Sequence, residues 1–214
     1  MATINNGVLG TISGRIGSLV FYVNRGKPVL RSMPRKRKRP PTVAQQAQRM
    51  RFSLIIQFLS PLKSLTGKGY GNSQGKRSQI AQCIAYHAKH TVKGRFPDLE
   101  IDYRKVRITT GRLLGADYGE VFSDSAGCVN FTWIDRSNGY HGFGQDQAAL
   151  IVYNPTKHRH EFLRSASYRA SECAMLDVPL EFSGDRLHCW VVFISQCGKH
   201  YANSTYLGTV TVAH

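Results

Sequence analysis

No aspartate or glutamate precedes Asp98, whereas 18 lysines and arginines do. A stretch without carboxylates cannot neutralise its cations by internal ion pairs. Any fold must therefore carry them at its surface, where their mutual repulsion opposes compaction unless an external polyanion offsets it. The imbalance extends along the chain: residues 1–112 hold 22 Lys/Arg and three acids, a net of +19, and residues 113–214 hold seven and ten, a net of −3. Nucleic acid is the polyanion this pattern favours, because each phosphate contact also releases condensed counterions. An anionic membrane competes, but a membrane-surface helix carries tryptophan on its apolar side, and Trp133 and Trp190 both lie in the other half.

A hydrophobic content of 42% over 214 residues supports a real core. No apolar run reaches membrane-spanning length; Val8 to Val23, the nearest, is broken by Arg15 and glycines. A charged leader and a small-residue cleavage site are both missing, so the expected compartment is cytoplasmic, with non-classical release as the other route outward. The odd set of five cysteines (Cys83, Cys128, Cys173, Cys189, Cys197) lacks C-x-x-C spacing. That argues against a disulfide framework or zinc ribbon and predicts reduced, buried thiols.

Glycines at 7, 10, 14 and 17 describe an extended or looped arm. Ser18–Val23 and Pro28–Met33 then flank Asn24-Arg25-Gly26-Lys27, which reads as a β-hairpin with Pro28 on an edge. The run Arg35-Lys36-Arg37-Lys38-Arg39, followed by Pro40-Pro41, reads as an extended segment. Thr42 and Gln45 open a capping-box helix with Val43, Ala47, Met50, Leu54, Phe58 and Leu62 on one face, ending near Pro61; Arg49 and Arg51 extend its positive side. Lys68 to Arg77 reads as a loop. Ile80, Ile84, Ala88 and Val92 predict a second helix from about Ser78 to Val92, closed by Gly94 and Pro97, and Leu99–Tyr103 a short strand.

From Val106 the pattern becomes β. Seven strands are expected at Val106–Leu114, Cys128–Ile134, Ala148–Tyr153, Arg159–Leu163, Ala174–Leu180, Leu187–Ser195 and Thr205–Val212, separated by Gly/Asn/Pro turns. Both tryptophans are expected in the core. The fold class is thus α+β: a basic N-terminal region over residues 1–105 (arm, hairpin, linker, two helices), then an antiparallel β-sandwich over 106–214.

Phe131-Thr132-Trp133, Ala149 to Tyr153, Cys189 to Phe193 and Ser204-Thr205-Tyr206 make the C-terminal half resemble a fibronectin type III or immunoglobulin-like module. The whole chain resembles domain-of-unknown-function family 6266 of Bacteroidota proteins. The resemblance rests on Gly10-Thr11-Ile12-Ser13-Gly14-Arg15-Ile16-Gly17, on Arg25-Gly26-Lys27 with Val29-Leu30-Arg31-Ser32, on Pro41-Thr42 through Gln48-Arg49 and Phe52, and on Tyr206-Leu207-Gly208. It implies the domain layout and transfers no activity or site residue.

Catalytic signatures are missing. Gly69 to Arg77 departs from a P-loop because Arg77 follows Lys76, leaving at most a loose phosphate nest. His87 and His90 on the second helix lack a third metal ligand and read as satisfied or surface side chains; His158 and His160, two apart on a strand, read as a solvated face. Asp102, Asp117, Glu120, Asp124, Asp135 and Asp146 are scattered through expected loops. There is no nucleophile–base pattern and no cofactor motif.

The expectation is a non-enzymatic, self-assembling protein that coats or packages DNA or RNA through phosphate contacts, largely independently of sequence. The contacting residues are Arg25, Lys27, Arg31, Arg35, Lys36, Arg37, Lys38, Arg39, Arg49, Lys68, Lys76 and Arg77, with Tyr70 stacking on a base. The competing expectation is a structural or adhesive subunit of a filament or surface layer.

Overall fold

In the computed structural model, residues 2–4, 12–24, 26–34, 40–71 and 78–213 are described. They divide into two compact units, Met1–Thr42 and Val43–His214.

The first unit is an antiparallel sheet in chain order: β1 (Ala2–Ile4), β2 (Ile12–Ile16), β3 (Leu19–Asn24) and β4 (Lys27–Ser32). The expected hairpin is β3–β4, with Asn24 opposite Lys27. Gly17 and Gly26, at φ +59° and +77°, occupy the two tight turns, where a side chain would be disfavoured. Pro28 lies on edge strand β4, where its missing N–H breaks no ladder bond. The glycine-rich stretch is not wholly an arm, since Ile12–Ile16 pairs with β3; residues 5–11 lie outside the described set.

Pairing puts Phe21 opposite Leu30 and Ile16 opposite Leu19, so β3's alternation collects Ile16, Leu19, Phe21, Val23 and Leu30 on one face. The other face carries Arg15, Val20, Tyr22, Lys27, Val29 and Arg31. Sixteen ångströms of strand therefore suffice, at roughly 3.3 Å per residue, to separate apolar from cationic side chains.

The second unit opens with α1 (Val43–Leu59), which begins directly after Thr42 and stops before Pro61, as its sequence predicts. Only its C-terminal half is packed: Ile55, Phe58 and Leu59 are buried, while Val43, Met50 and Phe52 are exposed. A helix not anticipated, α2 (Lys63–Gly69), follows at once. α3 (Gln79–His90) is capped by the Ser78 hydroxyl, which accepts the Ala81 N–H at 3.3 Å. It ends two residues short of Val92 because Val92–Arg95 forms β5, paired with β6 (Asp98–Ile101). Gly94, at φ +89°, has the Asp98 carbonyl 2.1 Å from where a Cβ would stand, so it serves the hairpin instead of closing the helix.

Seven strands then build two sheets: β7 (Asp117–Phe122), β8 (Cys128–Ile134), β9 (Gln147–Asn154), β10 (Arg159–Tyr168), β11 (Cys173–Asp177), β12 (Arg186–Ile194) and β13 (Thr205–Thr211). The orders β11-β8-β7 and β10-β9-β12-β13 make a three-plus-four immunoglobulin/fibronectin III-like sandwich, and with the helices the fold is α+β. Six of the seven strands occur near their expected places. The exception is Val106–Leu114, which crosses the core as irregular chain with only isolated bridges, Tyr70 to Thr110 and Leu113 to Ala202; the first sandwich strand begins at Asp117. Val106 and Ile108 are buried there, so their apolar pattern marks packing without a ladder.

β9 and β12 are apolar at nearly every position because both their faces are covered. Leu150, Val152, Cys189, Val191 and Phe193 point between the sheets toward Val129, Phe131 and Trp133. Ile151, Tyr153, Trp190, Val192 and Ile194 point outward and are roofed by Ile55, Phe58, Leu59, Leu62 and Leu65. Trp133 and Trp190 thus belong to two different cores, and the helices share one with the strands. Each fully buried Leu or Ile contributes about 1.5–3 kcal/mol. Asp146 shapes its turn by accepting the Phe143 N–H and, at 2% exposed, also pairs with buried Arg169. The thiols are free, but only Cys83 and Cys189 are buried; Cys173 and Cys197 are exposed.

Candidate nucleic-acid interface

Fourteen lysines and arginines are described up to Arg112, and of these only Lys93 and Lys105 reach a carboxylate, Glu100 at 3.4 Å and Asp102 at 3.3 Å. Both pairs are local to the β5–β6 hairpin and the turn after it. Apart from Asp98 in β6, the remaining acids lie beyond Arg112, and five of those ten, Asp185, Glu161, Glu181, Asp117 and Asp146, are taken up by Lys157, Arg159, Arg136 and Arg169. The excess positive charge therefore stays uncompensated among the described residues.

On the N-terminal sheet, Arg15 and Arg31 flank Val20 across β2, β3 and β4. Two strand spacings set them about 10 Å apart on the cationic face. Arg31 lies over the Tyr22 ring, 5.4 Å from its centroid, and Arg15 donates from Nε to the Gly17 carbonyl at 2.9 Å. Both guanidiniums are thus oriented while their remaining N–H groups face solvent. Lys27 is exposed at the hairpin end of the same face.

Of the residues nominated from sequence, Lys27, Arg31, Arg49 and Lys68 are exposed. Arg49 and Arg51 diverge by about 200° around α1, and Arg51 is half-buried, so α1 does not present them as one positive face. Lys68 ends α2 instead of opening a loop. Arg25, Arg35, Lys36, Arg37, Lys38, Arg39, Lys76 and Arg77 lie outside the described residues.

Tyr70 requires a correction. It is 5% exposed, bridges to Thr110, and sits beside Tyr86 and His87 with centroids 6.4 Å away. Burial drives its phenol pKa upward. It is a core side chain and cannot stack on a base. Its neighbours are equally committed: the Gly71 N–H donates to the Thr110 hydroxyl at 2.7 Å, and a Cβ on Gly69 would fall 2.7 Å from the Tyr201 ring. A phosphate nest cannot use those two positions.

The histidines divide. His87 is buried; its Nδ1 donates to the Cys83 carbonyl at 2.7 Å and its Nε2 accepts the Arg107 N–H at 3.3 Å, a satisfied structural ring whose pKa burial lowers. His158 sits in a turn at φ +52°. His160 is not on a solvated face: it packs 4.8 Å from Phe58 and 4.4 Å from Tyr153, both its nitrogens are buried, and desolvation lowers its pKa to about 4. Among the described residues no cluster of three His, Cys, Asp or Glu is arranged to hold a metal, and no helix is long and apolar enough to cross a membrane.

Sequence reasoning missed a cleft of about 880 Å³ on the outer face of the four-stranded sheet. Its floor is aromatic: Tyr103 stacks on His188 at 4.0 Å and 28°, its ring lies 5.4 Å from that of Tyr153, and His188 Nδ1 shares a 2.8 Å hydrogen bond with the Tyr206 hydroxyl. Its walls carry Lys93, Glu100, Asp102, Arg104 and Arg186. The contributing residues span positions 54 to 209, and each is unremarkable beside its chain neighbours.

A profile described as "Family of unknown function (DUF6266)" matches residues 11–208. No curated protein matches the chain. Among solved structures, the solution structure of the fn3 domain of the human collagen alpha-1(XX) chain is similar to 48% of this chain over 88% of its own length, with 10% identity and a TM-score of 0.34.

Proposed function

The chain belongs to that family of unknown function, and we propose that it is a non-enzymatic nucleic-acid-binding protein that coats or packages DNA or RNA through phosphate contacts and self-assembles. One observation carries the reading: apart from Lys93 and Lys105, the described cations ahead of the sandwich lack a carboxylate partner. Charge left unneutralised by the fold is charge that a polyphosphate can neutralise, with counterion release as the driving term. Lys27, Arg31, Arg49 and Lys68, together with the Arg35–Arg39 run, supply the contacts. Binding follows the strand backbone and is indifferent to sequence, and the compartment is cytoplasmic.

The test is a salt titration of binding to a labelled random-sequence oligonucleotide. About five phosphate contacts per subunit give a slope of log affinity against log salt near −4, and replacing Arg35 to Arg39 with glutamine flattens it. A slope near zero refutes the reading. The exposed apolar side chains Ile16, Leu19, Val23 and Leu30 favour a second reading, a subunit of a filament or layer held together without nucleic acid. Assemblies that persist after nuclease treatment, with no absorbance excess at 260 nm, select that reading.

A further inference from the structure

Arg104, on the turn after β6, and Arg186, at the start of β12, enter the cleft from different elements. Neither reaches a carboxylate among the described residues, because Glu100 and Asp102, the acids of the same wall, are engaged by Lys93 and Lys105. Arg186 is held in place: its Nε and Nη2 both donate to the Thr209 hydroxyl, at 3.0 and 2.9 Å. Both guanidiniums and the Asp102 carboxylate act on the Tyr206 hydroxyl, and all four residues line the same cleft. Tyr103, His188 and Tyr206 line the cavity as half-buried rings, so each keeps some surface open to it. Tyr153 and Phe58, almost fully buried, back them.

Two cations, of which Arg186 is oriented by Thr209, beside an aromatic floor match a ligand that joins a planar ring to an anion. Guanidinium recognises phosphate through paired, charge-assisted hydrogen bonds, and aromatic side chains receive nucleobases with little preference among them. A volume near 880 Å³ falls within the span of small-ligand sites, roughly 300–1,000 Å³. We propose that this cleft binds a nucleotide, its base against Tyr103, His188 and Tyr206 and its phosphate held by Arg104 and Arg186. The nucleotide is either free or one unstacked unit of a strand. The lining of the site comes wholly from residues of the second unit.

The experiment follows the ring resonances of His188 and Tyr206, with calorimetry, while the full-length protein is titrated with adenosine 5′-monophosphate, adenosine, inorganic phosphate and a short oligonucleotide. Saturable binding of the monophosphate is expected with a Kd below about 1 mM, with adenosine and phosphate each at least about tenfold weaker. The variants Arg104→Gln and Arg186→Gln, both at exposed side chains, should each lose about tenfold while unfolding at the wild-type midpoint. If only the oligonucleotide shifts these resonances, in an arginine-dependent way, the ligand is a unit of a strand. No response to either ligand, equal binding of phosphate alone, or indifference to both substitutions overturns the proposal. Lys27→Gln/Arg31→Gln protein is the control: it should weaken strand binding and leave monophosphate binding unchanged, so failure of the sheet interface and failure of the cleft give different results.

Discussion

Replacing Arg169 with methionine should remove a large share of the stability of the sandwich. Arg169 is 1% exposed, with its Cζ 3.8 Å from the centroid of Phe193. Its Nη2 donates to the Leu114 carbonyl at 2.8 Å and lies 3.4 Å from Asp146 Oδ2, and its Nη1 reaches the Gly115 carbonyl at 3.4 Å. Methionine preserves much of the apolar contact with Phe193 but deserts a buried carboxylate and two carbonyls. Asp146, 2% exposed, then keeps only the Phe143 N–H on that oxygen, at 3.0 Å. Breaking a buried pair from one side costs about 3–5 kcal/mol. With a urea dependence of about 2 kcal/mol per molar, the midpoint should fall by about 2 M. Removing both charges, as Arg169→Met/Asp146→Leu, should recover at least half of that, since no ion remains unpaired. Urea unfolding followed by tryptophan fluorescence measures both variants, Trp133 being tied to this site through its Nε1 bond to the Arg169 carbonyl at 2.8 Å. A loss under about 1 kcal/mol in the single variant, or a double variant worse than the single, would refute the account.

Three further outcomes are expected. His160 and His188, each with a folded pKa near 4 against about 6.5 unfolded, leave the unfolded state binding more protons in that interval, so stability falls as pH drops from about 6.5 toward 4, by about 2 kcal/mol at pH 5 for His160 and by less for His188, whose ring borders the open cleft and is screened by solvent. His160→Phe should lessen the decline in thermal midpoint between pH 7 and pH 5; an unchanged decline counts against the burial assigned to that ring. Gly111→Ala would set a Cβ 1.9 Å from the Tyr201 carbonyl oxygen and should cost about 1–3 kcal/mol or more in chemical unfolding, whereas alanine at Gly198, with open space around it, should cost only what its φ of +68° imposes. Lys27→Gln/Arg31→Gln should reduce the salt slope of strand binding by about 1.4–1.8 without moving the unfolding midpoint; an unaltered slope removes the N-terminal sheet from the interface.

The hairpin, the first and third helices and six sandwich strands were legible because their signals are local. Gly26 marks a turn, Ile80, Ile84 and Ala88 repeat every four residues, and the β8 and β12 runs declare themselves within a few residues. Val106–Leu114 misled because burial without a ladder produces the same apolar run as a strand, and only the pairing of its neighbours separates the two. Lys68 and Tyr70 were assigned to a loop from the glycines around them, yet Gly69 is there to let Tyr201 and Thr109 approach. His160 resembled a solvated residue because Phe58, more than a hundred positions earlier, is what covers it.

Charge content, strand periodicity and turn chemistry depend on residue type and near neighbours, and they sufficed for a basic N-terminal region ahead of a β-sandwich. Which cations lack partners, which rings are sealed and which converge on a cleft depend on residues distant along the chain. Desolvation and ion pairing act over a few ångströms, so these were decided when α1, the β5–β6 hairpin and the outer face of the four-stranded sheet came together.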